Sequence, residues 1–135
     1  MQVSLLSAAV AGVLLASSGT AQADVVISQV YGGGGNTGAT LKSDFIELHN
    51  NGTAAVSLDG WTIQYAATSG TSWQTTALTG SIAAGGYYLI KQADGAGGSV
   101  NLPTPDATGT IPMAGTNAKV ALVQGTGPLS GSCPT

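Results

Sequence analysis

Residues 44–65, DFIELHNNGTAAVSLDGWTIQY, constrain the fold of this chain more than any other segment. In its first part apolar and polar side chains alternate, with Ile46 and Leu48 on one side. Glu47 and His49 would then lie on the opposite side. A period of two is typical of a half-buried strand, because successive side chains of a strand point to opposite faces. This pattern predicts a β-strand.

Two turn signals divide the same segment. Asn-Gly at 51–52 and Asp-Gly at 59–60 favour tight turns, since both pairs tolerate a positive φ at low cost. They separate predicted strands at 54–58 and 61–65. In the last of these Trp61 would lie on the buried face together with Ile63 and Tyr65. The segment therefore predicts two hairpins in succession.

The rest of the chain also has the pattern of short strands. In the first one, Val26 and Val30 would share one face, and Val25, Ile27 and Tyr31 the other. About seven short strands separated by turn residues are typical of an all-β sandwich. Beyond residues 44–65, strands are predicted at 25–31, 72–78, 81–83, 87–91 and 119–124, with a short strand or edge near 100–102.

The amino-acid sequence of these strands resembles the lamin tail domain in its bacterial, secreted form. The resemblance covers residues 24–125 and implies an immunoglobulin-like β-sandwich, a module without catalysis of its own. Segments 27–33 and 119–123 fit it as well. The matching residues are Phe45, Ile46, Glu47, Leu48, Asn50, Leu58, Gly60, Trp61, Ile63, Ile82, Gly85, Gly86, Tyr87, Tyr88, Leu89 and Ile90.

The N-terminal residues 1–23 have the pattern of a cleavable signal peptide. An apolar run at 5–16 is too short to span a bilayer, and Ala21-Gln22-Ala23 is an A-x-A cleavage site. No Lys or Arg precedes the run, which departs from the usual pattern. A buried N-terminal helix is the alternative. We expect cleavage before Asp24 and a secreted protein, extracellular or periplasmic, with no membrane span in its mature form.

Composition argues against a nucleic-acid-binding domain. The chain has a formal net charge of −3, and its three basic residues are Lys42, Lys91 and Lys119. Phosphate contacts supply most of the non-specific affinity for nucleic acids, and three lysines are too few for a basic stripe. We therefore expect no strong nucleic-acid binding.

Catalytic patterns are also missing from the sequence. His49 is the only histidine, so a multi-histidine zinc site cannot form within the chain. The four glycines at 32–35 follow a strand, but no Lys-Ser/Thr pair follows at P-loop spacing. A flexible linker is the interpretation of that run. The carboxylates are dispersed over turns and strand ends, and we expect no catalytic residue, cofactor or metal.

The two tryptophans are predicted to differ. Large aromatic side chains dominate the cores of sandwiches, so Trp61 is expected to anchor the core. Trp73 lies among Ser, Gln and Thr residues, which favours exposure. Trp73, Glu47 and His49 are the candidate binding residues.

Cys133 is the only cysteine of the chain. An unpaired cysteine in a secreted protein indicates an intermolecular bond, a free thiol or a partner elsewhere. Residues 126–135 read as a tail that leads into further sequence, and Cys133 is a candidate for a disulfide to that sequence. The alternative is a complete small protein with a dangling tail.

Domains of the resembled type often precede the catalytic domain of bacterial extracellular nucleases of the endonuclease/exonuclease/phosphatase fold. The resemblance implies an accessory or interaction module of such an enzyme, with a downstream catalytic domain or a cell-surface component as its partner. The alternative is a free-standing surface adhesion or scaffold module.

Overall fold

The computed structural model describes residues 24–134, so the predicted signal peptide lies outside the described residues. All regular structure in this part of the chain is β-strand, as the sequence predicts. The nine strands found there are β1 (Val25–Tyr31), β2 (Ser43–Asn50), β3 (Val56–Ser57), β4 (Thr62–Ala67), β5 (Gln74–Ala77), β6 (Ser81–Ile82), β7 (Tyr87–Asp94), β8 (Ala107–Thr108) and β9 (Ala118–Val123).

The strands form two main sheets and one small ribbon. The first sheet has the order β1-β2-β7-β8, and the second has the order β5-β4-β9. The ribbon pairs β3 with β6. All pairings among these strands are antiparallel except that of β7 with β8. This is the predicted immunoglobulin-like sandwich.

The core between the sheets consists mainly of aliphatic side chains. Ile46 and Leu48 from β2, Ile63 from β4 and Ile90 from β7 are almost wholly buried. Full burial of one such side chain contributes about 1.5–3 kcal/mol to stability. The remaining core members are Val25, Leu58, Tyr65, Leu78, Ile82, Tyr88, Ile111 and Met113.

The alternation predicted for β2 is confirmed, and that predicted for β1 is wrong beyond Ile27. Ile27 pairs with Leu48, but the next pair joins Gln29 to Glu47, because a bulge falls at Ser28. A bulge adds one residue to a strand and exchanges the faces that follow it. Tyr31 therefore lies beside Phe45 on the outer face of the sheet instead of sharing a face with Val25.

The two predicted hairpins are wrong, although both turns exist. β2 pairs with β1 and β7, while β3 pairs only with β6. The turns at 51–52 and 59–60 therefore carry the chain from one sheet to the next. Gly60 has a φ of +79°, as its turn requires, whereas Gly52 has no positive φ. Hairpin signals set the turn, but the pairing of the flanking strands depends on the core.

Asn50 explains the departure at the first turn. Its side chain is fully buried and donates to the carbonyls of Ala54, Ile82 and Ala83 at 2.8, 3.0 and 3.2 Å. Its Oδ1 accepts the N–H of Gly52 at 2.9 Å. The amide thus joins the end of β2 to two other chain segments, and its partners replace the ladder that a hairpin would form.

Trp61 does not anchor the core as predicted. It is half-buried at the margin of the core, where it packs beside Val56 and Leu122. The residue directly precedes β4, so its ring lies at the end of the sandwich, where a cavity of about 250 Å³ opens beside it. Among the apolar residues, the fully buried positions belong to smaller aliphatic side chains, which interdigitate between the two sheets.

The glycine run at 32–35 is a packed loop and not a flexible linker. A Cβ on Gly34 would lie 1.9 Å from the backbone carbon of Ser43. Gly35 has a φ of +68° and lies against Gly95 in the same way. Glycine is needed here because two backbones approach each other closely.

Asp44 joins this loop to the segment after β8. The buried carboxylate accepts the N–H of Gly34 at 2.9 Å and that of Met113 at 2.8 Å. Burial raises the pKa of Asp44 above its ordinary value of 3.8, against the opposing effect of these two hydrogen bonds. Its contribution to stability is therefore full below pH 3.8 and decreases as pH rises through the raised pKa.

The C-terminal tail, residues 126–134, packs on the outer side of the second sheet. The buried side chain of Gln64 donates to the carbonyl of Gly127 at 2.9 Å and accepts the N–H of Leu129 at 2.8 Å. An isolated bridge joins Ser72 to Ser130. The predicted domain ended at residue 125, but the structure places the tail against the sheet, where it provides the hydrogen bonds that a buried amide needs.

The long segment between β7 and β9 contains less regular structure than predicted near residue 100. Val100 forms only an isolated parallel bridge with Leu41. The short strand of this region is β8, which adds to the edge of β7.

Replacement of Asn50 by alanine is expected to destabilise the fold strongly. The Asn50→Ala variant removes the side-chain partner of three carbonyls and one N–H, of which the Ala83 carbonyl keeps the N–H of Gly86. We expect a loss of about 3 kcal/mol in the free energy of unfolding. Urea denaturation of the variant and the parent measures this difference.

The neighbouring Asn51→Ala variant is the matched control. Asn51 is exposed, and we expect its free energy of unfolding to stay within about 0.5 kcal/mol of the parent. Equal losses in the two variants would show that the amide of Asn50 has no special structural role.

Candidate interaction surface

The outer face of the first sheet brings several functional side chains together. Partners across a sheet share a face, and the pairs of β1, β2 and β7 define three rows. The sheet turns this face away from the core. Its members are Val26, His49 and Tyr87 in the first row, Gln29, Glu47 and Leu89 in the second, and Tyr31, Phe45 and Lys91 in the third.

The first row ends in an exposed aromatic pair. The rings of His49 and Tyr87 stack with centroids 4.3 Å apart and an interplanar angle of 18°. Tyr87 is 62% exposed, which makes it the most exposed large hydrophobic residue of the described chain. The neighbouring β8 pairs only with Ile90 and Lys91, so no strand lies beside Tyr87 on its other side. One face of its ring is therefore available to a ligand or partner.

Glu47 occupies the centre of the outer face. It is half-buried, and its Oε1 accepts the hydroxyl of Ser28 at 2.7 Å. Ser28 is the bulged residue of β1, and its hydroxyl also contacts the backbone carbonyl of Glu47 at 3.1 Å. The bulge thus orients a carboxylate between Gln29 and Leu89, its neighbours across the sheet, which gives the face a fixed acceptor.

The side chains of the third row are less exposed than Tyr87 of the first row. Tyr31 stacks on Phe45 with centroids 5.4 Å apart and an interplanar angle of 24°. Lys91 donates to Asp94 at 2.9 Å. The hydroxyl of Ser43 and the ammonium of Lys91 lower the pKa of Asp94 below its ordinary value of 3.8. At this end of the face the side chains are therefore engaged with each other, in an aromatic pair and an ion pair.

Of the three predicted binding residues, the structure brings Glu47 and His49 together but places Trp73 elsewhere. Trp73 directly precedes β5 in the second sheet, and the prediction that it is exposed is wrong. Its indole N–H donates to the carbonyl of Gly131 at 3.0 Å, and the ammonium of Lys119 lies 5.4 Å from its ring. Residues far along the chain cover it, so its polar sequence neighbours misled the prediction.

Most of the other carboxylates support the backbone. Asp59 accepts the N–H of Gly80 at 2.8 Å, and Asp106 accepts the N–H of Leu89 at 2.7 Å. Within residues 24–134, no three His, Cys, Asp or Glu side chains are grouped so that they could hold a metal ion. In the same range, no helix is long and apolar enough to cross a bilayer.

Cys133 lies in the tail, and its side chain is exposed with a free thiol. The neighbouring Ser132 accepts a hydrogen bond from Lys119 through its carbonyl at 2.9 Å, which holds this part of the tail against the sheet. The predicted disulfide to further sequence stays a prediction.

Sequence reasoning missed Tyr87 and Leu89 as members of the outer face. Both were recognised as strand residues, and their odd positions in β7 place them opposite the core residues Tyr88 and Ile90. The signal was present in this alternation. The alternation does not reveal that β7 lies beside β2, and this pairing is what brings Tyr87 next to His49.

Comparison with known families identifies a match over most of the chain. The sequence model of the family described as Lamin Tail Domain matches residues 18–129, which is most of the chain. The match includes all strands of both sheets and the part of the tail that Gln64 binds. A search of curated proteins found no match.

The lowered pKa of Asp94 predicts a specific loss of stability in acid. The contribution of an acid with a depressed pKa is present above 3.8 and is lost as pH falls through its folded-state pKa. We expect the parent to lose more stability than the Asp94→Asn variant between pH 5 and pH 2. Urea midpoints across this range measure the difference, and parallel curves would contradict the assignment.

The exposure of Cys133 predicts that its thiol reacts in the folded protein. We expect one equivalent of an aromatic disulfide reagent to react without denaturant, because no packing shields the sulfur. Absorbance of the released thiolate measures the reaction, and the Cys133→Ser variant is the blank. A thiol that reacts only after unfolding would contradict the exposed position.

Proposed function

The chain belongs to the lamin tail domain family, and on that premise we propose that it is a secreted, non-catalytic interaction module. Its contact surface is the outer face of the first sheet. The observation that carries this proposal is the exposed pair of His49 and Tyr87, beside the oriented carboxylate of Glu47.

The composition of the outer face supports a role in protein recognition. Tyrosine is enriched among the residues that dominate interface energies, because it combines a large apolar area with a polar tip. Tyr87 has this exposed position, and the half-buried Leu89 and Val26 provide apolar area next to it. Glu47 and His49 supply polar groups that fix the orientation of a partner.

The lysines support the proposal that the module does not bind nucleic acids strongly. Lys91 is paired with Asp94, and the ammonium of Lys119 binds the carbonyls of Gly70 and Ser132. Two of the three basic groups are thus engaged within the fold. A phosphate backbone would have to compete for them.

We propose a catalytic domain of an extracellular nuclease, carried by the same polypeptide, as the partner of this face. The support is the resemblance to bacterial secreted modules of this family. In this arrangement the module positions the enzyme, while the metal-dependent phosphodiester chemistry belongs to the other domain.

A free-standing surface module is the second candidate. The exposed Cys133 offers such a module a point of covalent attachment to a cell-surface component in an oxidising compartment, and it offers the first candidate a disulfide to further sequence. Both candidates use the same face, and they differ in the partner.

Binding measurements with two immobilised partners distinguish the candidates. We expect the purified chain to bind the catalytic domain encoded downstream in its reading frame, and the Tyr87→Ala variant to bind it at least about tenfold more weakly. Binding to whole cells but not to that domain would favour the surface module. Absence of binding to both, or equal binding by the variant, would contradict the proposed face.

The matched control is Gln74→Ala, since Gln74 is an exposed residue of the second sheet. We expect this variant to bind like the parent. Both variants should keep the parent's free energy of unfolding within about 1 kcal/mol, so that a change in binding reports the surface and not the fold.

A direct assay tests the absence of catalysis. We expect no hydrolysis of DNA, RNA or phosphate esters by the purified chain, with Mg²⁺, with Ca²⁺ or with neither. Product formation that follows the protein through purification and disappears in the Glu47→Ala variant would overturn the proposal.

A further inference from the structure

Each sheet of the sandwich ends in two edge strands, and three of the four are protected. An open edge presents unpaired N–H and C=O groups that can pair with another chain, and bulges, short length and charge prevent this. β1 carries a bulge at Ser28, and β8 has only two residues. β5 has four residues, and its neighbour Ser72 is bridged to the tail.

The fourth edge strand, β9, has none of these protections. It has six residues, Ala118–Val123, and pairs with β4 without any register shift. It contains no proline, and its single charge is that of Lys119. Among the described backbone hydrogen bonds outside the strand ladders, none involves a residue of β9. Its outer edge is therefore unpaired within residues 24–134.

A lysine on an edge strand normally prevents pairing with another chain, but the ammonium of Lys119 is bound elsewhere. It donates to the carbonyl of Gly70 and, at 2.9 Å, to that of Ser132, and it lies 5.4 Å from the ring of Trp73. These contacts hold the charge over the outer side of the second sheet. They remove from the edge the group that would repel a second strand.

A cavity of about 440 Å³ lies along the same strand. Residues 118–121 line it, together with Trp73 and the tail residues Leu129, Ser132, Cys133 and Pro134. Trp73 precedes β5 at the opposite edge of this sheet, so the cavity lies over the outer face of the sheet, beneath the tail. The tail and this cavity thus occupy the outer face of the second sheet, and the outer edge of β9 keeps its unpaired backbone groups.

We propose that β9 pairs edge to edge and antiparallel with β9 of a second copy of this chain. The pairing requires a strand with a free edge, mostly apolar side chains and little charge, and β9 itself has these properties. In a two-fold dimer the β9 edges of the two copies pair with each other, so no free β9 edge remains for a third copy. The inference is independent of the proposed nuclease partner and uses a different surface.

The register of this pairing avoids repulsion. If the two-fold axis passes at Val120, Lys119 of one copy lies opposite Ala121 of the other; if it passes at Ala121, Lys119 lies opposite Val123. In neither register do the two lysines face each other. Every second amide of β9 becomes hydrogen-bonded across the dimer, while the alternate amides remain bonded to β4.

Concentration-dependent amide exchange tests the pairing. In the purified, reduced chain we expect sedimentation equilibrium to give twice the monomer mass at high concentration. Under the same conditions exchange of alternate β9 amides should slow by about tenfold or more relative to dilute protein. The other β9 amides should be protected at both concentrations, because β4 binds them.

Two adjacent proline variants add a structural control. Proline removes the backbone N–H, and N–H groups of neighbouring residues point to opposite edges. Of Val120→Pro and Ala121→Pro, we expect one to break the ladder with β4 and the other to fold as a monomer. The Cys133→Ser variant should dimerise like the parent, because the pairing needs no disulfide.

A monomer at all concentrations would overturn the proposal. A dimer whose β9 amides show no dependence on concentration would also overturn it, since the contact would then lie on another face. If neither proline variant folds, the exchange pattern of the parent alone decides between these outcomes.

Discussion

The sandwich depends on the buried amide of Asn50. Where β2 ends, the chain leaves one sheet, and no strand ladder is available to the backbone groups of the turn. One side chain satisfies three carbonyls and one N–H from the segments that meet there. A buried polar group is favourable only when it is fully hydrogen-bonded, so this network also excludes competing arrangements of the turn.

The same principle recurs at two other buried amides. Gln92 of β7 donates to Thr76 of β5 at 3.0 Å and accepts the N–H of Ile111 at 3.2 Å, which joins the two sheets across the core. Gln64 binds the tail on the outer side. Between them, three amide side chains connect elements that strand pairing leaves apart. The aliphatic core provides the driving force, and the amides determine how the elements are arranged.

The sequence predicted which residues form strands better than it predicted which strands lie side by side. A period of two reveals which residues face the core, and β2 followed it, as did Ile63 and Tyr65 of β4. The faces of β1 changed at Ser28, because a bulge has no signal in such a pattern. Burial of Trp73 could not be predicted, since its cover comes from residue 131. On the candidate surface, Glu47 and His49 were predicted, whereas Tyr87 required knowledge of the partner strand.

The contacts of the tail have a consequence for synthesis. Gln64 and Leu129 are 65 positions apart, and Trp73 and Gly131 are 58 positions apart. The second sheet can therefore reach its final packing only after residue 131 has left the ribosome. Domains dominated by such distant contacts fold slowly, because the loop entropy is lost before the contacts form. A nascent chain of this kind remains incompletely packed until its tail, residues 126–134, has been synthesised, so the early-made strands of the second sheet stay without their final cover during that time.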